Sequence, residues 1–166
     1  MFAQLDTKSV YSFMDSVVDL NSYVERAKEL GYQALGLMDR DNLYAAYHFA
    51  QLASRNGLRP LIGMEANLFY EGRKIPFRLL AKNNQGYKNL MKLATELSSG
   101  QREFTAFSDY LNAIALILPS EDWEPGMTLG SEVFIGVRPE DVGKEFDYPV
   151  VPLHTVRYFE NADRST

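Results

Sequence analysis

The sequence predicts an α/β fold with mostly parallel strands, and two observations predict it. Short apolar runs alternate with amphipathic helical stretches through the first half of the chain, the strand–helix–strand order that lays successive strands parallel. The 166 residues are 46% hydrophobic and 23% charged, the length and composition of one domain with a buried core, so disordered and collagen-like classes drop out.

Phe2 to Leu5 reads as a first strand, followed by a polar loop through Asp15. Ser22 with Glu25 three residues later has the form of a capping box, Val24, Ala27 and Leu30 follow at helical spacing, and Gly31 supplies the stop. Ala34 to Met38 is an apolar run of buried-strand character that ends at Asp39-Arg40-Asp41-Asn42. Asp41 or Asn42 is placed to cap a second helix with Leu43, Ala46, Phe49 and Ala50 on its apolar face, ending at Asn56-Gly57. Leu58 to Tyr70 reads as a strand or pair of strand segments, Glu71-Gly72-Arg73 as a turn, and Ile75 to Ala81 as the returning arm of a hairpin. Asn84 to Leu97 is a third helix, ended by Ser98-Ser99-Gly100. Beyond it Ala113 to Leu118, Glu132 to Val137 and Tyr148 to Leu153 read as strands, the first two separated by a long loop containing Pro119, Pro125, Gly126 and Gly130.

The formal net charge of −5 argues against a broad basic face gripping nucleic acid, since phosphate neutralisation needs clustered Lys and Arg. The absence of cysteine excludes disulfides, Cys-ligated zinc and iron–sulfur clusters, and two histidines, His48 and His154, argue against a His-rich metal site. The first residues, from Met1 to Asp6, lack the basic and apolar regions of a secretory signal, and no apolar run approaches the ~18 residues of a membrane span. A cytoplasmic location is the expectation. Ten Tyr and ten Phe point to an aromatic-rich core or a docking surface.

In such folds chemistry gathers at the carboxyl ends of the strands. The residues there are Asp6 and Lys8, Asp39 and Arg40, Glu65 late in its strand, and His154 to Arg157.

These positions carry a family resemblance. Phe2-Ala3-Gln4-Leu5-Asp6-Thr7-Lys8-Ser9-Val10-Tyr11-Ser12-Phe13-Met14-Asp15 resembles the opening of the PHP domain of bacterial DNA polymerase III alpha subunits, where a His-x-His pair precedes Ser-x-Tyr-Ser and an Asp. Val24 to Gly31 with Ala34-Leu35 is similar to the family's first helix and second strand, and Asp39-Arg40-Asp41-Asn42-Leu43-Tyr44 to its Thr-Asp-His-x-Asn segment. Pro60-Leu61-Ile62-Gly63-Met64-Glu65-Ala66 resembles Pro-Ile-x-Gly-x-Glu-Ala, Leu79 to Leu90 a further shared run, and His154-Thr155-Val156-Arg157-Tyr158 the Asn-Asp-x-His-Tyr segment. The resemblance is strongest over residues 2–95 and thin from about 100 to 145.

It implies a PHP-type barrel-like fold, a distorted or partial β/α barrel, filling residues 1–166 as the N-terminal piece of a longer polymerase whose catalytic core is absent from this chain. Intact members hold divalent metals with His and carboxylates to hydrolyse phosphate esters. Here the resemblance puts Asp6 and Lys8 at the first two His positions, Arg40 at the next, Pro76 at a later one, and Thr155 and Arg157 at the last Asp and His; Asp15 and Glu65 keep a ligand type. The degenerate positions are therefore Asp6, Lys8, Asp15, Arg40, Glu65, Thr155 and Arg157. No catalytic residue, bound metal or other cofactor is expected in this domain, because Lys and Arg bring positive charge to a place built for cations. Lys8, Arg40 and Arg157 are expected to neutralise Asp6, Asp15 and Glu65, so that Arg40→Ala destabilises more than loss of a surface arginine.

The implied parent is a DNA-directed DNA polymerase, a nucleotidyltransferase using Mg2+, with a structural role for this part. Its implied partners are the remainder of the polymerase chain and other replisome subunits, with DNA bound through the parent and weakly or not at all through this piece. One alternative is an active phosphoesterase or 3′–5′ exonuclease holding Mn2+ or Zn2+ through Asp6, Asp15 and Glu65; another is a docking module for other replisome proteins. Quieter readings stand beside these: Asp41 and Asn42 as helix caps, Asp39-Arg40-Asp41 as an Asp-x-Asp spacing that is no polymerase metal motif because no other acidic motif or phosphate-gripping basic loop accompanies it, His48 as a packing or surface residue, and His154 as a hydrogen-bonding one.

Overall fold

Parallel strands joined by helices dominate the computed structural model, which describes residues 3–12, 16–130 and 132–157. The first strand is split: β1 (Ala3–Gln4) and β2 (Asp6–Thr7) are separated by Leu5. Helix α1 (Leu20–Glu29) buries Leu20, Tyr23, Val24 and Ala27 at three-to-four-residue spacing. Its cap is Asp19, whose carboxylate accepts the Ser22 N–H at 2.9 Å. The expected Ser22 box therefore shifts three residues, because the carboxylate that reaches the free N–H groups is the one already in extended backbone.

Strand β3 (Ala34–Arg40) precedes α2 (Ala46–Arg55), which starts after Ala45 with no side-chain cap. Asp41 and Asn42 are thus not its caps. Asp41 turns the chain with φ 54° and accepts from Arg102 Nη1 at 2.6 Å, while Asn42 Oδ1 accepts the Tyr44 N–H at 3.1 Å.

The expected hairpin is one long strand, β4 (Arg59–Tyr70), returning as β5 (Arg73–Ala81) through Glu71-Gly72. Helix α3 (Asn84–Ser98) is capped by Asn83, whose side chain accepts the Gly86 N–H at 3.0 Å. Then come β6 (Ile114–Pro119), β7 (Val133–Val137), β8 (Val150–Pro152) and β9 (Thr155–Val156), with one-turn or longer 3-10 segments at Phe104–Tyr110, Ser120–Asp122 and Pro139–Asp141. The expected strand from Tyr148 to Leu153 is shorter at both ends, and the chain resumes pairing two residues later as β9.

Strand order in the main sheet is β1-β3-β4-β5-β6-β7-β8, antiparallel only at the β4–β5 and β5–β6 pairs. β2 continues from one edge of this sheet and β9 from the other, and they pair with each other in parallel, Asp6 opposite Thr155. That pairing draws the two edges together and curls the sheet into a barrel-like form. The inside is identified by Met38 of β3, Ile117 of β6 and Leu153, which meet although their strands are not neighbours in the sheet. Space there is tight: a Cβ on Gly36 would lie 2.0 Å from the Leu5 carbonyl oxygen. Outside, α1 and α2 cover β3 with Leu35, Leu37, Phe49 and Ala53, while α3 and the Phe104–Tyr110 turn cover β4 and β5 with Phe77, Leu79, Leu90 and Phe107. Among the described residues, no helix is long and apolar enough to cross a membrane.

Candidate functional site

Strand alternation decides which side chains enter the barrel. On β3, Met38 points inward and so does Arg40 two residues on; on β5, Ile75, Phe77 and Leu79 pack outward and leave Arg78 to the inside. Register then aligns three charges in a row, with Arg40 opposite Glu65 and Glu65 opposite Arg78. β2 and β9 add Asp6 opposite Thr155, and the chain after β2 adds Lys8. A charged layer thus sits on the apolar layer of Met38, Ile117 and Leu153.

Lys8 is fully buried. Its ammonium touches Asp6 Oδ1 at 2.6 Å, the Met38 carbonyl oxygen at 2.7 Å and Glu65 Oε2 at 3.1 Å, oxygens supplied by three strands. Arg78 bridges the same two carboxylates, Nε to Asp6 Oδ2 at 3.0 Å and Nη2 to Glu65 Oε2 at 3.2 Å, and its Nη1 donates to the Pro76 carbonyl at 2.7 Å. Arg40 Nε donates to Glu65 Oε1 at 3.0 Å, and Thr155 Oγ1 donates to Asp6 Oδ2 at 2.6 Å. Every carboxylate oxygen of the buried pair therefore accepts at least one hydrogen bond, the condition for keeping ionised groups away from water.

Burial alone would push the Asp6 and Glu65 carboxyls upward. The charges of Lys8 and Arg78, with hydrogen bonds from Lys8, Thr155 and Arg40, overcome it and hold both below the usual carboxylate range. A neighbouring carboxylate, Asp39, is held by neutral donors: it accepts from the Ser9 N–H and hydroxyl at 2.7 and 2.6 Å and from the Ser12 hydroxyl at 2.7 Å.

A cleft of about 540 Å3 opens above this layer, its wall including Arg40, Pro76, Arg138, His154 and Arg157 and its floor Glu65 and Arg78. Arg138 is held at the rim because Asp141, buried, accepts its main-chain N–H at 2.9 Å together with the Ser120 hydroxyl and the Lys144 ammonium at 2.6 Å each. A larger depression of about 860 Å3 lies on the outer surface between the Phe104–Tyr110 turn and the loop before β7, away from the charged layer.

Of the residues singled out in the sequence, Asp6, Lys8, Arg40, Glu65 and Thr155 meet in one cluster. Arg157 lines the cleft, and its carbonyl accepts from Ser16 Oγ at 2.9 Å. Asp15 lies outside the described residues. His48 is exposed on α2, and His154 takes part through its carbonyl, which accepts from the Gln4 amide. Among the described residues no group of three or more His, Asp or Glu comes together in a form that could hold a metal ion. The residue that sequence reasoning missed is Arg78. Its signal was an arginine set among the apolar residues Phe77, Leu79 and Leu80, a position that demands a buried partner.

The curled, mostly parallel sheet is the fold of a known class, and the chain belongs to it: residues 4–124 match the PHP domain family. Within that class it is similar, over its whole length, to the N-terminal region of one kind of protein. It is 45% identical over 168 residues to the DNA polymerase III subunit alpha of Streptococcus pyogenes serotype M1, covering 100% of this chain and 16% of that protein. It is 33% identical over 126 residues to the DNA polymerase III subunit alpha of Bacillus subtilis (strain 168), covering 72% of this chain and 11% of that protein. The chain thus spans only a small part of the length of these relatives. An amidohydrolase from Chromobacterium violaceum, solved with bound sulfate and no metal, has a similar fold, with a TM-score of 0.53 at 10% identity over 74% of this chain and 69% of its own.

Proposed function

We propose that this chain is the N-terminal PHP domain of a DNA polymerase III alpha subunit, and that it serves there as a structural, non-hydrolytic part. In this reading the parent chain is a cytoplasmic DNA-directed DNA polymerase using Mg2+, and residues 1–166 support DNA-templated synthesis by packing against the remainder of that chain. The likeness to alpha subunits, over 100% of this chain in one and 72% in the other, supports the parentage.

One observation carries the non-hydrolytic role. The Lys8 ammonium and the Arg78 guanidinium each bind both Asp6 and Glu65, so the carboxylates that a metal would need are already committed to side-chain cations. A divalent ion does not fit this donor set: it would sit against two fixed positive groups, one of which, arginine, does not lose its proton. Lys8, Arg40, Thr155 and Arg157 are read as degenerate metal-site positions, with Asp6, Asp15 and Glu65 as the ligand types that remain, and Arg78 joins them as a neutralising cation. The competing reading, a Mn2+- or Zn2+-dependent phosphoesterase or exonuclease, requires Asp6 and Glu65 to give up these partners.

The test is 3′-terminal hydrolysis of single-stranded DNA by the full-length polymerase in Mn2+, beside its Asp6→Asn and Glu65→Gln variants. The expected result is DNA synthesis without hydrolysis above background in all three. Manganese-dependent hydrolysis that disappears in either variant overturns the proposal.

A further inference from the structure

The depression of about 860 Å3 on the outer surface exists because a crossover helix is missing there. β6 and β7 are parallel neighbours, and the helix that usually joins such a pair also covers its outer face. Here the connection from Ser120 to Glu132 carries Pro125, Gly126 and Gly130, and its described residues form no α-helix, only the single turn Ser120–Asp122. The rest is a strap tied down by two tyrosines. The Thr128 N–H donates to Tyr70 Oη at 3.1 Å, and Tyr148 Oη donates to the Met127 carbonyl at 2.8 Å. Between this strap and the Phe104–Tyr110 turn a groove remains, with Tyr70, Leu111, Ile114 and Leu116 along it. It reaches from Glu71 to Lys82, the residues flanking β5, a span of roughly 26 Å at the rise of an extended strand.

One end of the groove is acidic and aromatic. The rings of Tyr70 and Phe104 meet edge to face with centroids 5.5 Å apart, and each has a carboxylate as its neighbour in sequence, Glu71 after Tyr70 and Glu103 before Phe104. Glu103 is brought to this end by its bridge to Phe69. Among the described residues neither Glu71 nor Glu103 makes an ion pair, and the cations beside them are committed, Arg73 to Glu124 and Arg102 to Asp41. At the far end the Lys82 ammonium binds Glu132 at 2.6 Å. Glu71, Glu103 and Glu132 against Lys82 leave the groove a net charge of −2. Such a groove repels the phosphates of nucleic acid. It suits the opposite kind of ligand, a chain whose Lys or Arg side chains lay their stems on aromatic rings and their charges beside carboxylates.

We propose that this groove docks an extended segment of another protein in which Lys or Arg side chains flank apolar ones. The cations of that segment meet Glu71 and Glu103, and its apolar side chains lie on Tyr70 and Leu111. The site stands apart from the charged layer inside the barrel and does not depend on what that layer does.

The test is selection of a phage library of random peptides about eight residues long, the length the groove holds extended, on the full-length protein. Binding of the selected peptides is then measured by fluorescence anisotropy. The expected result is a class of sequences with Lys or Arg beside Leu or Phe, which cross-links to p-benzoylphenylalanine placed at Thr128. These peptides should bind a Glu71→Lys/Glu103→Lys variant about tenfold more weakly. Both glutamates are exposed, so the variant should keep its melting temperature; a Glu71→Gln/Glu103→Gln variant, which removes the charge without reversing it, should fall between the two. Failure to select any class, selected peptides without basic residues, or equal binding to all three proteins overturns the proposal. So does cross-linking from Thr128, with no peptide added, to the protein's own residues beyond 166, because the groove is then already filled.

Discussion

The side chain that holds the buried layer together is Arg78, and its neighbours grade its effect. It is 8% exposed and touches both Asp6 and Glu65, whereas Arg40 is 40% exposed and touches Glu65, which keeps Lys8 and Arg78 as partners if Arg40 is lost. Removing one member of a buried ion pair costs ~3–5 kcal/mol, because the other charge stays behind without compensation. Arg78→Met is therefore expected to lower the free energy of unfolding by about that amount, Arg40→Ala by less. Arg26→Ala, which breaks a surface pair with Glu29, should change it by less than ~1 kcal/mol. Urea denaturation of the three variants checks the order. Equal midpoints for Arg78→Met and Arg26→Ala would mean that the internal charges are not what they look like. The strand-end cations Lys8 and Arg40 were legible in the sequence because they follow apolar runs. Arg78 sits in mid-strand, and only its register opposite Glu65 reveals its partner.

Elements were legible where a local rule sufficed. The β4–β5 hairpin follows from Glu71-Gly72, both with positive φ, between two apolar strands, and α3 follows from its apolar spacing and the Ser98-Ser99-Gly100 stop. The capping at α1 and the role of Asp41 were not legible, since each depends on which groups are already partnered. Asp41 looks like a helix cap by position, yet its carboxylate is claimed by Arg102 from sixty-one residues away. β3 shows the same limit from the other side. Gly36 reads as one more residue of an apolar strand, but its missing side chain lets β3 lie against Leu5. Gly36→Ala sets a methyl 2.0 Å from a backbone oxygen that cannot rotate away. Overpacking of this kind costs ~1–3 kcal/mol and here belongs at or above the upper end. The expected outcome is a melting temperature lower by roughly 6–12 °C, measured by circular dichroism; a shift of a degree or two would show that β1 and β3 have more freedom than their packing suggests.

For the whole molecule, the charged layer ties stability to pH. Burial acts to raise the Asp6 and Glu65 carboxyls and the cations around them bring both below their ordinary values, while Asp141 is lowered by hydrogen bonds from Arg138, Lys144 and Ser120. A carboxyl with a depressed folded-state pKa binds protons less readily when folded than when unfolded. Its contribution is complete above the unfolded value, roughly pH 4, and is lost as pH falls through the folded value. The urea midpoint should therefore hold level from neutral pH to about pH 5 and drop steeply below pH 4. A midpoint that stays level down to pH 3 would contradict the ionised state of the layer.

The sequence by itself determined the α/β class, the hairpin, the family and most of the residues at the strand ends, because each is written in local spacing or in a short ordered motif. Tertiary structure alone decided that Lys8 and Arg78 share the same two carboxylates, and that β2 and β9 join the edges of the sheet. The physical reason is that a charge becomes a buried partner only when register and sheet curvature bring it within hydrogen-bond reach of another, and both are properties of the assembled strands.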